Sequence, residues 1–253
     1  MKSLRALFFL LLTFAFIAPL HAEAPAHFKN PPENLNPDPA YVPGDYALAE
    51  MSASRTVYHA KKTELAGDLE SGYSGVLTTL AAGEISFVST KNETASVPGS
   101  FHDFFGVAKF NADGSFQDLR LLIDINSLDT GVPGRNNRLL NILFESMKPD
   151  FGTAEIHFDK LDSSGKKLSD AADGESIESQ ASGTITLHGT TREITAALFL
   201  KKQGTLWIVE TREPVKLLIS DFGFEERVYE LMKACNHKSI GNSVGVNVKL
   251  YFK

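Results

Sequence analysis

From residue 84 to the C-terminus the chain alternates between apolar and polar positions. The clearest case is its last stretch, where Val244, Val246, Val248, Leu250 and Phe252 fall on one side and Gly245, Asn247, Lys249 and Tyr251 on the other. A period of two marks a half-buried β-strand. The same pattern runs through 116–126, where Leu119, Leu121, Ile123 and Ile125 oppose Arg120, Asp124 and Asn126. Asn111-Ala112-Asp113-Gly114 separates that run from an apolar run at 107–110, which predicts a hairpin. Ile85, Phe87 and Val88 open an earlier strand, and 153–161 forms a later one. Residues 184–187, 193–201, 206–211 and 215–220 predict a four-strand meander, with Thr190-Thr191 and Gln203-Gly204 at two turns. Two segments change period. Leu139, Leu140, Leu143, Phe144 and Met147 fall at helical spacing around 136–146, with Pro149 beyond the stop. Val228, Leu231 and Met232 share one side of a short helix at 225–235. The polar, acidic stretch 162–182 reads as a loose loop. About eight antiparallel strands with one or two short helices predict an all-β fold, a closed barrel without exposed edges.

Ahead of the barrel the composition changes twice. Lys2 and Arg5 precede an apolar run at 7–20, and Ala22 and Ala24 follow it. This is the order of a secretory signal peptide, and the run is shorter than the ~20 residues that span a bilayer core. Residues 1–22 are therefore expected to be removed, leaving a chain that starts at Glu23 or Pro25 and is exported, soluble and periplasmic, without stable membrane insertion. Residues 23–46 contain Pro25, Pro31, Pro32, Pro37, Pro39 and Pro43 and read as an extended linker or surface strap. Residues 47–83 form an N-terminal extension that fits either a broken helix or an added strand pair. The barrel domain is expected at 84–253.

Charge and reactive residues exclude several functions. Removing 1–22 takes the formal charge from −6 to −8, because Lys2 and Arg5 leave and no acid does. Such a chain repels phosphate backbones, so nucleic acid is not an expected partner. Its overall acidity also gives no help in docking on anionic lipid heads. Cys235 is the single cysteine, so no internal disulfide forms and it reads as a buried thiol. The histidines are scattered, with no pair at metal-ligand spacing, and no nucleophile-elbow sequence occurs. No catalytic residue, metal or cofactor is expected. The 18 phenylalanines against one tryptophan suit an apolar interior that holds a ligand or fills itself.

Four ordered signatures carry a family resemblance. They are Ser86-Phe87-Val88-Ser89-Thr90-Lys91; Gly99, Phe101 and Gly106; Ser127-Leu128-Asp129-Thr130 with Arg135 and Leu139; and 183–191, GTITLHGTT. Asp221-Phe222-Gly223 adds a late turn. Together they resemble the YceI-like family of exported, lipocalin-like proteins, some of which hold a polyisoprenoid chain in the barrel. Asn136 stands where the family often has an aspartate. The resemblance implies a carrier of an apolar, lipid-like small molecule. Candidate lining residues are Phe101, Phe105, Phe110, Phe144, Phe158, Phe199 and Trp207; a one-residue shift in strand phase would reverse each assignment. Arg135 beside Asp129 either pins a turn by a charge-assisted hydrogen bond or faces a ligand head group. The alternative to a carrier is a filled barrel that binds another protein through its helices and the 162–182 loop.

Overall fold

The structure is a computed structural model, described for residues 24–33, 48–67 and 76–253. The expected leader, 1–22, lies outside the described residues, as do 34–47 of the proline-rich segment. Among the described residues thirteen strands and three α-helices follow in order. They are β1 (His27–Lys29), α1 (Leu48–Gly67), β2 (Val76–Lys91), β3 (Ala95–Phe101), β4 (Phe104–Phe110), β5 (Phe116–Asp124), β6 (Leu128–Asp129), α2 (Pro133–Arg138), β7 (Thr153–Asp162), β8 (Ser176–Leu187), β9 (Thr190–Gln203), β10 (Leu206–Thr211), β11 (Val215–Leu218), α3 (Glu225–Cys235), β12 (Ser239–Gly241) and β13 (Ser243–Phe252).

Eight of these strands close the antiparallel barrel in the order β2-β4-β5-β7-β8-β9-β10-β13, and β13 returns to β2 from Gly245↔Val88 to Phe252↔Leu80. The alternation of β13 has the expected phase: Val246, Val248 and Leu250 point inward. The β4–β5 hairpin forms at the anticipated turn, with the Asn111 N–H donating to the Ser115 carbonyl at 2.8 Å and Gly114 at φ 78°. A left-handed residue there favours glycine. At Gly183 the constraint is spacing. It lies opposite Phe158 where β7 bulges, and an added Cβ would fall 2.0 Å from the His157 carbonyl oxygen.

Four expectations are corrected. The β8–β9 turn is His188-Gly189, both left-handed, rather than Thr190-Thr191. β11 does not extend the meander: it pairs with the first half of β13 while β10 pairs with the second. The bend that allows this contains Pro214, which cannot donate to a ladder. The 162–182 stretch is only half loop, since β8 begins at Ser176 and runs along both β7 and β9. The 136–146 helix is two pieces, α2 and a π-turn at Leu139–Leu143. α3 spans the anticipated residues and buries Val228, Leu231 and Met232.

The two ends of the barrel differ. One is plugged by 163–175, where Leu168 and Ala171 pack on Leu198 and Leu200. The other is covered by α2, α3, β12 and the strap β1, whose Phe28 is buried against the edge of Tyr229. α1 lies outside the barrel against β4 and β5.

Candidate ligand cavity

Inward side chains leave a cavity of about 520 Å³ inside the barrel. Its wall is built by the period-two faces of the strands: Leu119, Leu121 and Ile123 from β5, Ala196 and Leu198 from β9, Val246 and Val248 from β13. The π-turn adds Leu139 and Leu143, with Phe144 just after it. None of these groups can hydrogen-bond, so the space is suited to hydrocarbon and its size is that of small-molecule pockets.

Five of the seven candidate aromatics line the cavity: Phe101, Phe110, Phe144, Phe158 and Trp207. Phe105 and Phe199 lie on the outer face. On β4 the inward residues are Ala108 and Phe110, so Phe105 turns toward α1, with the Lys62 ammonium 5.5 Å from its ring. On β9 the inward residues are Ala196, Leu198 and Leu200, so Phe199 faces out beneath the Arg212 guanidinium at 5.4 Å. The outward position of Phe105 follows from the hairpin register, in which the inward Leu119 and Ile123 pair with Ala108 and Phe104. The aliphatic wall has no mark in the sequence beyond the period of two that it shares with every half-buried strand.

Polar lining is concentrated at the covered end. Ser89, Thr90 and Lys91 come from the tip of β2, Arg135 and Arg138 from α2, Cys235 and His237 from the end of α3. Burial pushes the Cys235 thiol up, against the pull of Arg138 and Lys91. Burial holds His237 below the ordinary imidazole value, and Lys91, Arg135 and Arg138 push it the same way. Arg135 is not the partner of Asp129. That carboxylate accepts from the Gly131 N–H at 2.8 Å and from Asn136 Nδ2 at 3.0 Å, while Asn136 Oδ1 accepts from Thr130 N and Oγ1. The amide at Asn136 therefore both donates to the turn and accepts from it, a double role that an ionised carboxylate, lacking a donor, could not fill. Lys91 ends the first family signature but is not among the expected lining residues, and nothing local in the sequence marks Arg138 or His237.

Outside the wall, polar groups fasten the helices. Tyr58 of α1, fully buried, donates to Asp103 Oδ1 at 2.8 Å. Arg55 Nε lies 3.4 Å from the buried Asp124, whose other oxygen accepts from the Asn126 N–H at 2.9 Å. Asn126 in turn donates to Ser54 at 3.0 Å and accepts from Ser146 at 2.8 Å. Burial raises the Asp124 carboxyl above its usual value despite Asn126 and Arg55. A second joint lies at the covered end. His188 is stacked between Phe151 and Phe224, with Nε2 3.1 Å from Glu145. Burial holds His188 below its ordinary value. Burial alone would raise Glu145, but Lys148, Arg227 and His188 bring it below the usual carboxylate range. Among the described residues no group of three or more His, Cys, Asp or Glu side chains could hold a metal ion.

The sequence profile of the YceI-like domain matches residues 78–252. The chain belongs to the YceI-like family. Solved structures with the same barrel include a polyisoprenoid binding domain from Saccharophagus degradans implicated in plant cell wall breakdown. It has 22% identity and a TM-score of 0.61 over 71% of this chain and 99% of that one. Another is BcnA of Burkholderia cenocepacia, with 17% identity and a TM-score of 0.52 over 67% and 95% of the two chains. No curated protein sequence matches the chain. The YceI-like match begins within β2, so β1 and α1 precede it. Among the described residues no helix is long and apolar enough to cross a membrane.

Proposed function

We propose that this YceI-like protein is a passive carrier that holds an apolar or amphiphilic molecule, a polyisoprenoid or another lipid chain, inside its barrel. The observation that carries the reading is the cavity of about 520 Å³ walled by aliphatic and aromatic side chains. Removing hydrocarbon from water yields ~25 cal/mol per Å², so a chain can be held there with few polar contacts. The polyisoprenoid binding domain with the same fold supports the choice of ligand class. Phe101, Phe110, Phe144, Phe158 and Trp207 would contact the tail. A barrel filled by its own side chains and acting only through protein contacts fits an interior with this much free volume less well. The same reading places the mature protein in the periplasm, after loss of 1–22; N-terminal sequencing starting at neither Glu23 nor Pro25 would remove that part.

The test uses two neighbouring alanines. Ala196 faces the cavity and Ala197 faces away from it. Lipid co-purifying from the native host is extracted and quantified for the parent, Ala196→Phe and Ala197→Phe, alongside thermal melting. The carrier reading expects Ala196→Phe to lose lipid with little change in melting temperature. In a filled core the same change overpacks and costs ~1–3 kcal/mol. A parent without lipid, together with a destabilised Ala196→Phe, would refute the carrier.

A further inference from the structure

The formal charge of −6 describes the whole chain and hides a local reversal at the cavity's covered end. There Lys91, Arg135 and Arg138 line the cavity together with the exposed Val132, so between α2 and the tip of β2 the cover is incomplete and the cavity reaches the surface. The charged groups that act on His237 in their midst are these three cations and no carboxylate. Beside them the segment Gly131-Val132-Pro133-Gly134 is exposed throughout and carries no charge. Val132 is 44% exposed, among the most exposed large apolar residues described, and also lines the cavity. Gly131 and Gly134 have open space on the side where a Cβ would stand. The carboxylate next to this loop, Asp129, is engaged by the Gly131 N–H and Asn136, with His102 at 3.8 Å. An apolar tip, flanked by cations and leading directly into an apolar cavity, has the chemistry of a surface that meets lipid head groups and acyl chains together.

We infer that this rim docks on an anionic lipid surface, with Val132 and Pro133 entering the head-group layer and Lys91, Arg135 and Arg138 against its phosphates. The inference rests on the carrier reading for its purpose, since docking there sets the cavity opening against the membrane from which a lipid is taken or to which it is returned. The contact is peripheral. Arginine matches phosphate with a planar fork, and lysine adds a mobile point charge. Both act over a Debye length of about 10 Å at moderate salt, so the contact is sensitive to ionic strength.

Flotation of the full mature chain with two kinds of vesicle tests this. One is pure phosphatidylcholine and the other is phosphatidylcholine with an equal amount of phosphatidylglycerol. The parent should float with the anionic vesicles at low salt and dissociate as salt rises. Arg135→Gln and Arg138→Gln should each lower partition about fivefold. Arg135→Lys should restore most of it, and Val132→Asp should weaken it without changing thermal melting. Retained lipid, extracted from the same preparations, reports on the cavity separately. A parent that retains lipid but never floats overturns docking and leaves the carrier reading intact, making a protein partner the better occupant of the rim. A parent that floats but never holds lipid keeps docking and removes the carrier. Equal flotation by parent and the two Gln variants overturns the inference.

Discussion

The inner wall of the barrel and the joints that fasten helices to its outside are made from the same strands by opposite chemistry. β5 shows both. Leu119, Leu121 and Ile123 belong to a stretch of cavity wall with no hydrogen-bonding side chain, while Asp124, at its end, is buried in a chain of partners running from Arg55 and Ser54 of α1 to Asn126 and Ser146. The wall owes its shape to the backbone ladders, so its side chains are free to border unfilled space. The joint is specific because every polar group in it depends on its neighbour. Change in volume is therefore tolerable on the wall and change in charge is not, whereas the joint is sensitive to the loss of a single partner.

The sharpest way to break this contrast is to charge the wall. Val248→Asp places an unpaired carboxylate in an apolar interior, which is strongly unfavourable. Loss of cooperative urea unfolding, or failure to accumulate, is expected. Lys249 is its control, one residue on and facing outward. It lies across from Glu84 and Glu210, 3.5 Å from the latter. Lys249→Asp would set three acids side by side on a solvated face and cost about 1 kcal/mol or less. Similar behaviour of the two variants would mean that the strand phase is wrong.

The α1 joint comes next. Asp124→Ala leaves the Asn126 N–H without its acceptor and takes from Arg55 the nearer of its two ion-pair partners, for a loss of about 1–3 kcal/mol in urea unfolding. Tyr58→Phe removes one buried hydrogen bond to Asp103 and should cost about 1 kcal/mol. If Asp124→Ala were neutral, the joint would be ornamental and α1 held by apolar contact alone. The smallest effect is a pH slope at the second joint. His188 has a folded value below its ordinary 6.5, so its neutral form favours the fold. Its contribution is complete above 6.5 and lost as pH falls through the folded value. Glu145, below its ordinary 4.5, behaves in the same sense at lower pH, losing its contribution as the carboxylate is protonated. His188→Asn keeps a side chain that tolerates the left-handed backbone at φ 51°. It should flatten the fall in melting temperature that begins below pH 6.5; an unchanged slope would show that the imidazole does not titrate in this range.

Features with local causes could be read in the sequence. The β4–β5 turn, α3 and the phase of β13 each follow from residues within a few positions of one another. What could not be read depends on pairings between distant strands. β11 looks like the next strand after β10, and only the shared edge of β13 shows that the two lie end to end. Phe105 and Phe199 are apolar and adjacent to inward residues, so the aromatic character that recommended them says nothing about phase. The rim is the extreme case: Lys91 and Arg138 come from elements far apart in the chain, and a net charge counts them against carboxylates on other faces.

Closure by β2 and β13 makes the barrel depend on residues 243–252. The two strands pair through residues more than half the sequence apart, and no intermediate hairpin substitutes for that ladder. Until β13 is in place, β2 and β10 each present an unpaired edge of the kind that recruits other chains. Contacts of such long sequence separation form late and slowly. A nascent chain therefore remains an open sheet until β13 arrives, and a premature stop ahead of residue 243 would produce a sticky fragment instead of a smaller barrel.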